Sequence, residues 1–232
     1  MGSLEAEKKI YLLRGRRACL REIKVTETLS VSILESEEQD AIIEEAIEQD
    51  LPAPYGLICW PSAIRVAKVV ASIPRLRDLQ VLDLGAGNGL PSLTAATLGA
   101  TVLATDIHSL TMLLIEKAAK IASLNNLQTQ YLNILETKPL PAHDLLLAAD
   151  MLYEPELAEA TALRCIESLT NGGSLIVGAP NRRARERFLH VLRHHGFSAE
   201  FIDKPVLDHL TMKERAVSVW RAGPIFERDS NE

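Results

Sequence analysis

Residues 81–91 read Val81-Leu82-Asp83-Leu84-Gly85-Ala86-Gly87-Asn88-Gly89-Leu90-Pro91, a short apolar run that ends in three glycines at alternate positions. A second apolar run, Thr101-Val102-Leu103-Ala104-Thr105, ends in Asp106. Glycine has no Cβ, so the backbone can turn sharply there and approach a ligand closely. A strand, a glycine turn, a helix and a second strand together place the turn and the acid at the carboxyl ends of parallel strands. An adenosine-bearing ligand binds at such an edge, with the acid accepting hydrogen bonds from the ribose diol. The spacing is Gly85-x-Gly87-x-Gly89, not the Gly-x-Gly-x-x-Gly that seats a pyrophosphate on a helix N-terminus. Asp83, just before the first glycine, repels a phosphate and attracts a cation. A bare strand-to-helix turn would use glycines as well. The flanking strand and helix and the acid at position 106 favour a ligand-binding turn.

From Gln80 onward, strand and helix patterns alternate. Strands are predicted at 80–84, 101–106, 128–132, 144–149, 174–178, 197–202 and 214–220, and helices near 90–98, 109–124, 156–170 and 181–195. The expected class is α/β: a Rossmann-like, doubly wound, seven-stranded sheet whose last strand is antiparallel. Residues 1–50 form a separate N-terminal extension, and the main domain spans 51–232. In the extension, Glu22-Ile23-Lys24-Val25-Thr26-Glu27-Thr28-Leu29 alternates apolar and polar residues, which predicts a hairpin or strand pair within 10–34. Residues 35–50 carry eight acids and no Lys or Arg, with Ala41, Ile42, Ile43, Ala46 and Ile47 on one face. This predicts an amphipathic helix with an acidic exterior, either simply solvated or attracting a basic protein. A further helix over 62–72 presents Ile64, Ala67, Val70 and Ala71 to a core.

With 232 residues, 47% of them hydrophobic, the chain can bury one sizeable core. A net charge of −6 argues against nucleic acid as the main partner, because phosphate binding needs clustered Lys and Arg. The three cysteines, Cys19, Cys59 and Cys165, are scattered without a Cys-x-x-Cys pair, so neither a zinc site nor a disulfide framework is expected. No apolar run has the length of a membrane span. Residues 1–5 lack the basic and apolar regions of a secretory leader, and a reducing, cytoplasmic setting is expected, or a mitochondrial matrix in a eukaryote.

The fourth strand of the main domain runs into Asp150-Met151-Leu152-Tyr153. At that edge Asp150 is placed to accept an N–H of a target amine and Tyr153 to wall it or donate to it. A free lysine carries a lone pair in only about one molecule in 2,000 at neutral pH, so orienting and desolvating the amine matters. The plain alternative has Asp150 capping the helix near Pro155 while Tyr153 packs. Trp60 lies in the loop Leu51-Pro52-Ala53-Pro54-Tyr55-Gly56-Leu57-Ile58-Cys59-Trp60-Pro61, where core packing and stacking near a ligand are both open to it. Asn133 and Ile134 follow the third strand, where an adenine would lie. His190 and His194 have metal-ligand spacing but no completing ligand, so no metal site is assigned. Arg182, Arg183, Arg185 and Arg187 have no interleaved aromatics. They, with Arg14, Arg16 and Arg17, suit ion pairing with the acidic helix as well as nucleic acid.

These segments resemble the seven-β-strand, S-adenosylmethionine-dependent protein-lysine methyltransferases that share an Asp-x-x-Tyr motif. Within that group they are most similar to the enzymes that act on the β-subunit of the electron transfer flavoprotein. The likeness rests on Pro54 to Pro61, the Asp83 to Gly89 turn, Asp106, Asn133-Ile134-Leu135 and Asp150 to Tyr153, and covers roughly residues 50–180. It implies S-adenosylmethionine as cofactor, held by Trp60, Asp83, Gly85, Gly87, Asp106, Asn133, Ile134 and Ala149, and Asp150 and Tyr153 at the amine. The implied partner is a protein with an accessible lysine, the flavoprotein β-subunit being the first candidate. Two departures stand out. Gly178-Ala179-Pro180 replaces Gly-Asp-Pro, and Pro61-Ser62-Ala63 replaces Pro-Gly-Gly. The rival readings are a small-molecule amine N-methyltransferase and a non-catalytic cofactor-binding protein.

Overall fold

The computed structural model describes residues 9–202 and 217–227. Strands β1 (Ile10–Leu13), β2 (Arg16–Lys24) and β3 (Ser30–Ser36) form an antiparallel three-stranded sheet, followed by helices α1 (Gln39–Glu48) and α2 (Pro61–Val70). Then come β4 (Gln80–Leu84), α3 (Leu90–Thr97), β5 (Thr101–Asp106), α4 (Ser109–Ile121), β6 (Leu127–Tyr131) and β7 (Leu145–Ala149). Helix α5 (Pro155–Thr170), β8 (Ser174–Pro180), α6 (Ala184–His194), β9 (Glu200–Phe201) and β10 (Val217–Ala222) complete the main fold. Its sheet has the order β6-β5-β4-β7-β8-β10-β9, with β4 to β8 parallel and β10 antiparallel to both neighbours. The doubly wound, seven-stranded class with an antiparallel last strand is therefore what forms. The chain winds outward in both directions from β4, so a crevice opens at the carboxyl ends of β4, β5 and β7.

Alternation along the central strands sorts the layers, because successive side chains in a strand point to opposite faces. Leu82, Leu84, Leu146, Ala148, Leu175 and Val177 pack beneath α5 and α6, while Val81, Leu145, Leu147 and Ile176 meet α2 and α3. Ile33 and Leu34 of β3 build a third core with Ala67 of α2, Leu90 and Leu93 of α3, and Leu114 and Ala118 of α4. Helix α2 is thus covered by the large sheet on one side and the small one on the other. Val66, Val69 and Val70 face the first and Ala67 the second, so its apolar stripe is wider than the amphipathic pattern suggested.

The N-terminal segment departs from expectation in register. The alternation over 22–29 spans a turn, in which the Val25 N–H bonds the Leu29 carbonyl and the Leu29 N–H bonds Thr26 Oγ1. Val25 is buried in that turn, and so the period-2 pattern persists where the strand does not. The predicted helix starts at Gln39, and Glu35 and Ser36 belong to β3, where the third core buries them. Arg16 pairs with Glu38 and Glu45, Arg17 with Glu37, and Arg21 with Glu35. Half of the acidic run is therefore matched by β2, and Asp40, Glu44, Glu48 and Asp50 face solvent. The strand expected at 197–202 shortens to Glu200–Phe201, and residues 214–216 of the last expected strand lie outside the described residues. Among the described residues no helix is long and apolar enough to cross a membrane.

Phe188 of α6 is fully buried, with its ring 6.1 Å from that of Trp220 in β10. Truncation leaves a hole that the flanking helix and sheet cannot close. Phe188→Ala is expected to destabilise the fold by about 3–5 kcal/mol, measured as a drop in unfolding free energy in urea.

Candidate active site

Three strand ends build the site. At β4 the backbone turns through Gly85, Gly87 and Gly89 at φ +63°, +57° and +78°, in the left-handed region that a side chain disfavours. The clearance at these glycines is used by the chain itself. A Cβ on Gly85 would run into the Met151 side chain, and a Cβ on Gly56 would stand 2.6 Å from the Gly87 Cα. The first neighbour is a flexible thioether that can swing aside. The second is backbone on backbone, which sets loop 51–60 directly against the glycine turn.

At the end of β5, Asp106 is 7% exposed and uses both carboxylate oxygens on the main chain. Oδ2 accepts the Gly87 N–H at 3.0 Å and Oδ1 the His108 N–H at 2.9 Å. The predicted ribose acceptor therefore also clamps the glycine turn to the start of α4, keeping a second lone pair on each oxygen. Asp83 lies deeper, its Oδ2 accepting from Ser92 Oγ at 2.6 Å while Oδ1 has no partner. Burial, and secondarily the neighbouring Asp106 charge, push its carboxyl up to about 7 against the opposing Ser92 hydrogen bond. Burial likewise lowers the His108 imidazole pKa, with the Asp106 charge and the Ala53 backbone opposing.

At the end of β7, Ala149 pairs with Gly178 of β8, and Asp150 follows at φ +62°, its N–H bonded to the Gly178 carbonyl at 2.8 Å. Asp150 does not cap the next helix, which starts at Pro155 after Glu154 without a side-chain cap. A non-glycine residue held in the left-handed region is a mark of function when the surroundings enforce it. Burial raises the Asp150 carboxyl pKa, while Arg182 and Ser62 favour its charged form. Tyr153 is pushed up to about 12, first by burial and then by the charges of Glu154 and Asp106. It stays a neutral phenol across the physiological range and can wall or donate, not act as a base.

The loop before α2 supplies the opposite wall. Tyr55 and Tyr153 meet edge to face, ring centroids 6.3 Å apart at 71°. Trp60 precedes α2, and its Nε1–H bonds the Tyr55 carbonyl at 2.8 Å. The Cys59 N–H bonds buried Glu35 Oε1 at 2.7 Å. Trp60 thus serves first as a brace that holds Tyr55. Beyond β6, Asn133 Oδ1 caps its own turn through the Leu135 N–H, and Ile134 is buried with its carbonyl bonded to Arg164 Nε at 3.1 Å.

Five buried side-chain polar atoms among the described residues lack a partner, and four of them gather at this edge: Ser62 Oγ, Asp83 Oδ1, Asn88 Nδ2 and Asp150 Oδ1. Buried polar groups are normally bonded, so one orphaned donor and several orphaned acceptors on a single edge leave hydrogen-bonding capacity that the described chain does not use. Tyr55, Ser62, Asn88 and Arg182 also stand at this edge, and little in the local sequence marks them as site residues. Only the Pro-Tyr-Gly loop and the Pro61-Ser62-Ala63 departure offered any signal. The histidines of α6 do not join the site, and no group of three metal-ligating side chains occurs among the described residues. Of the α6 arginines, Arg185 lies over the Trp220 ring and Arg187 pairs with Glu159.

A family model described as "Lysine methyltransferase" matches residues 37–195. The chain is 32% identical over 123 residues to the rat (Rattus norvegicus) "Histone-arginine methyltransferase METTL23", covering 50% of this chain and 54% of that one. It is 31% identical over 131 residues to the zebrafish (Danio rerio) "Protein N-lysine methyltransferase METTL21A", covering 51% and 57%. The chain spans about half the length of the curated relatives it matches. Among solved structures, a TehB-like SAM-dependent methyltransferase from Corynebacterium glutamicum superposes with a TM-score of 0.54 at 17% identity, over 78% of this chain and 97% of the other. SMU.776 complexed with SAH gives 0.60 at 12% identity, over 95% and 57%. These structural likenesses speak to the fold alone.

Asp83 sets a pH dependence. Its carboxyl pKa is raised from 3.8 to about 7, so the native state favours the protonated form. The stability it contributes is complete below the unfolded value and is lost as pH rises through about 7. Thermal midpoints of the ligand-free protein, compared between about pH 5 and about pH 8, are expected to fall less in Asp83→Asn than in the parent.

Proposed function

The chain belongs to the lysine methyltransferase family, and from that premise we propose that it transfers a methyl group from S-adenosylmethionine to a lysine amine on a protein, held by Asp150 and Tyr153. The observation that carries this reading is Asp150 itself. A strained, half-buried carboxylate with an unbonded oxygen stands at the switch point of the sheet beside an aromatic pair.

The residues present fit the cofactor. Asp83 Oδ1 and Asn88 Nδ2 are an unbonded acceptor and donor for a ligand carrying both ammonium and carboxylate. Asp106 has lone pairs left for a diol, and Gly85 and Gly87 give the backbone its tight turn. Asn133, Ile134 and Ala149 flank this edge, with Trp60 behind the loop. Bound there, the cofactor supplies a methyl group on a positively charged sulfur. The chain's own part is to present the amine. Asp150 Oδ1 accepts an amine N–H, and the Tyr55–Tyr153 pair shields the nitrogen from water. An arriving ammonium favours the ionised form of Asp150, against the burial that raises its pKa.

The expected acceptor is a folded protein with a lysine in a basic neighbourhood, the electron transfer flavoprotein β-subunit first. The solvent-facing acids Asp40, Glu44, Glu48 and Asp50 support attraction of a basic partner, an effect that salt weakens. A second reading, arginine as acceptor, draws on the METTL23 relatives.

The test incubates enzyme and tritiated cofactor with the flavoprotein, histones and free amines, and maps the label by mass spectrometry. Label on a protein lysine is expected. Label only on arginine or on a small amine overturns the reading. Asp150→Ala is expected to abolish transfer while calorimetry finds cofactor affinity within about tenfold, or 1.4 kcal/mol. Asp106→Ala is expected to weaken cofactor binding by about 1.5–3 kcal/mol.

A further inference from the structure

Ser62 stands at the site with no role yet in holding the amine. It is the second residue of α2, 1% exposed, and its hydroxyl bonds nothing. A buried helix hydroxyl ordinarily bonds the carbonyl one turn back, as Thr94 does with Leu90 and Thr161 with Leu157. Ser62 is too near the helix start to have such a carbonyl, because the backbone before it is extended at Ile58 and Trp60.

Gly178 locates this hydroxyl. The Ser62 carbonyl oxygen would be 3.4 Å from a Cβ on Gly178, and the Gly178 carbonyl accepts the Asp150 N–H. The first turn of α2 and the left-handed Asp150 therefore share one residue of β8. The Ser62 hydroxyl faces the Asp150 carboxylate and favours its charge by hydrogen bonding, yet no well-aligned bond closes between them, and Ser62 Oγ and Asp150 Oδ1 keep their accepting lone pairs free. Two neighbouring polar atoms, both buried and both unbonded, suit a group that carries at least two donors.

We propose that Ser62 Oγ is the second acceptor for the target amine, taking one N–H while Asp150 Oδ1 takes another. This rests on the reading that Asp150 holds an amine. Holding two N–H bonds fixes the nitrogen's orientation, so its remaining direction, the lone pair after deprotonation, points one way. The pair also counts hydrogens. Each methyl group on nitrogen removes one N–H, and a tertiary ammonium, with a single N–H, engages Asp150 alone.

The test uses the full chain with bound S-adenosylhomocysteine and n-butylammonium as the lysine side-chain probe. The Asp150 13Cγ resonance, assigned by its loss in Asp150→Asn, is followed during titration. Ser62→Ala is expected to weaken n-butylammonium binding about three- to tenfold while leaving the thermal midpoint nearly unchanged, since no well-aligned bond within the chain is lost. N,N-dimethylbutylammonium is expected to bind both proteins alike. Equal n-butylammonium affinity in the two proteins overturns the role of Ser62 and leaves the amine reading standing. So does weakening accompanied by a lower thermal midpoint, which assigns the hydroxyl a structural bond. If n-butylammonium leaves Asp150 undisturbed in the parent protein, the amine reading falls and the Ser62 proposal falls with it.

Discussion

Asp106 ties the structure's working edge together. Its carboxylate bonds the main chain at Gly87 and at His108, joining the glycine turn after β4 to the entry of α4 across two strands. A carboxylate at that depth needs such partners, because removing a charge from water is costly unless hydrogen bonds replace the solvent. Both N–H groups lie close to helix starts and also need an acceptor. One side chain meets the needs of both termini. The same charge adds to the burial that raises the carboxyl pKa of Asp83.

From this clamp outward, each element of the site is braced by a more distant one. Gly87 seats Gly56. Trp60 fixes the Tyr55 carbonyl. Glu35 of the small sheet holds the Cys59 N–H while it pairs with Arg21. The N-terminal strands therefore reach this edge through the loop they hold. Arg164 of α5 does similar work beyond β6, bonding the carbonyls of Ile134 and Lys138. Polar groups on rigid elements thus position the loops that carry the contacts.

Much of this edge was legible in the sequence because its signals are local. Three glycines after an apolar run, an acid ending the next strand and Asp150 ending another are each readable within a few residues. The doubly wound class and its antiparallel last strand followed from the alternation of strand and helix patterns, whereas the strand order is seen only in the structure. What escaped was long-range or compensated. Tyr55 and Tyr153 are 98 positions apart, and only the closed loop brings their rings together. The acidic run was open to ion pairing with Arg16 and Arg17, and they do pair with it, but only the register of β2 on β3 shows which acids are matched and that Arg21 joins them. Residues 22–29 kept a strand's periodicity through a turn because Val25 is buried there. Ser62 reads in sequence as an ordinary residue of a helix's first turn, and only its missing partner sets it apart.

The backbone at Asp150 sets fold and chemistry against each other. An L-residue at φ +62° carries a steric penalty of roughly 1–2 kcal/mol that glycine escapes. Glycine at 150 would relax the β7 turn and raise the melting temperature, and it would delete the unbonded carboxylate oxygen that this strand end carries. Selection for stability alone would therefore favour glycine here, as at the other left-handed positions Arg14, Asp50, Arg75 and Ser123. A stabilised form of the protein that retains aspartate here has had to find its stability elsewhere.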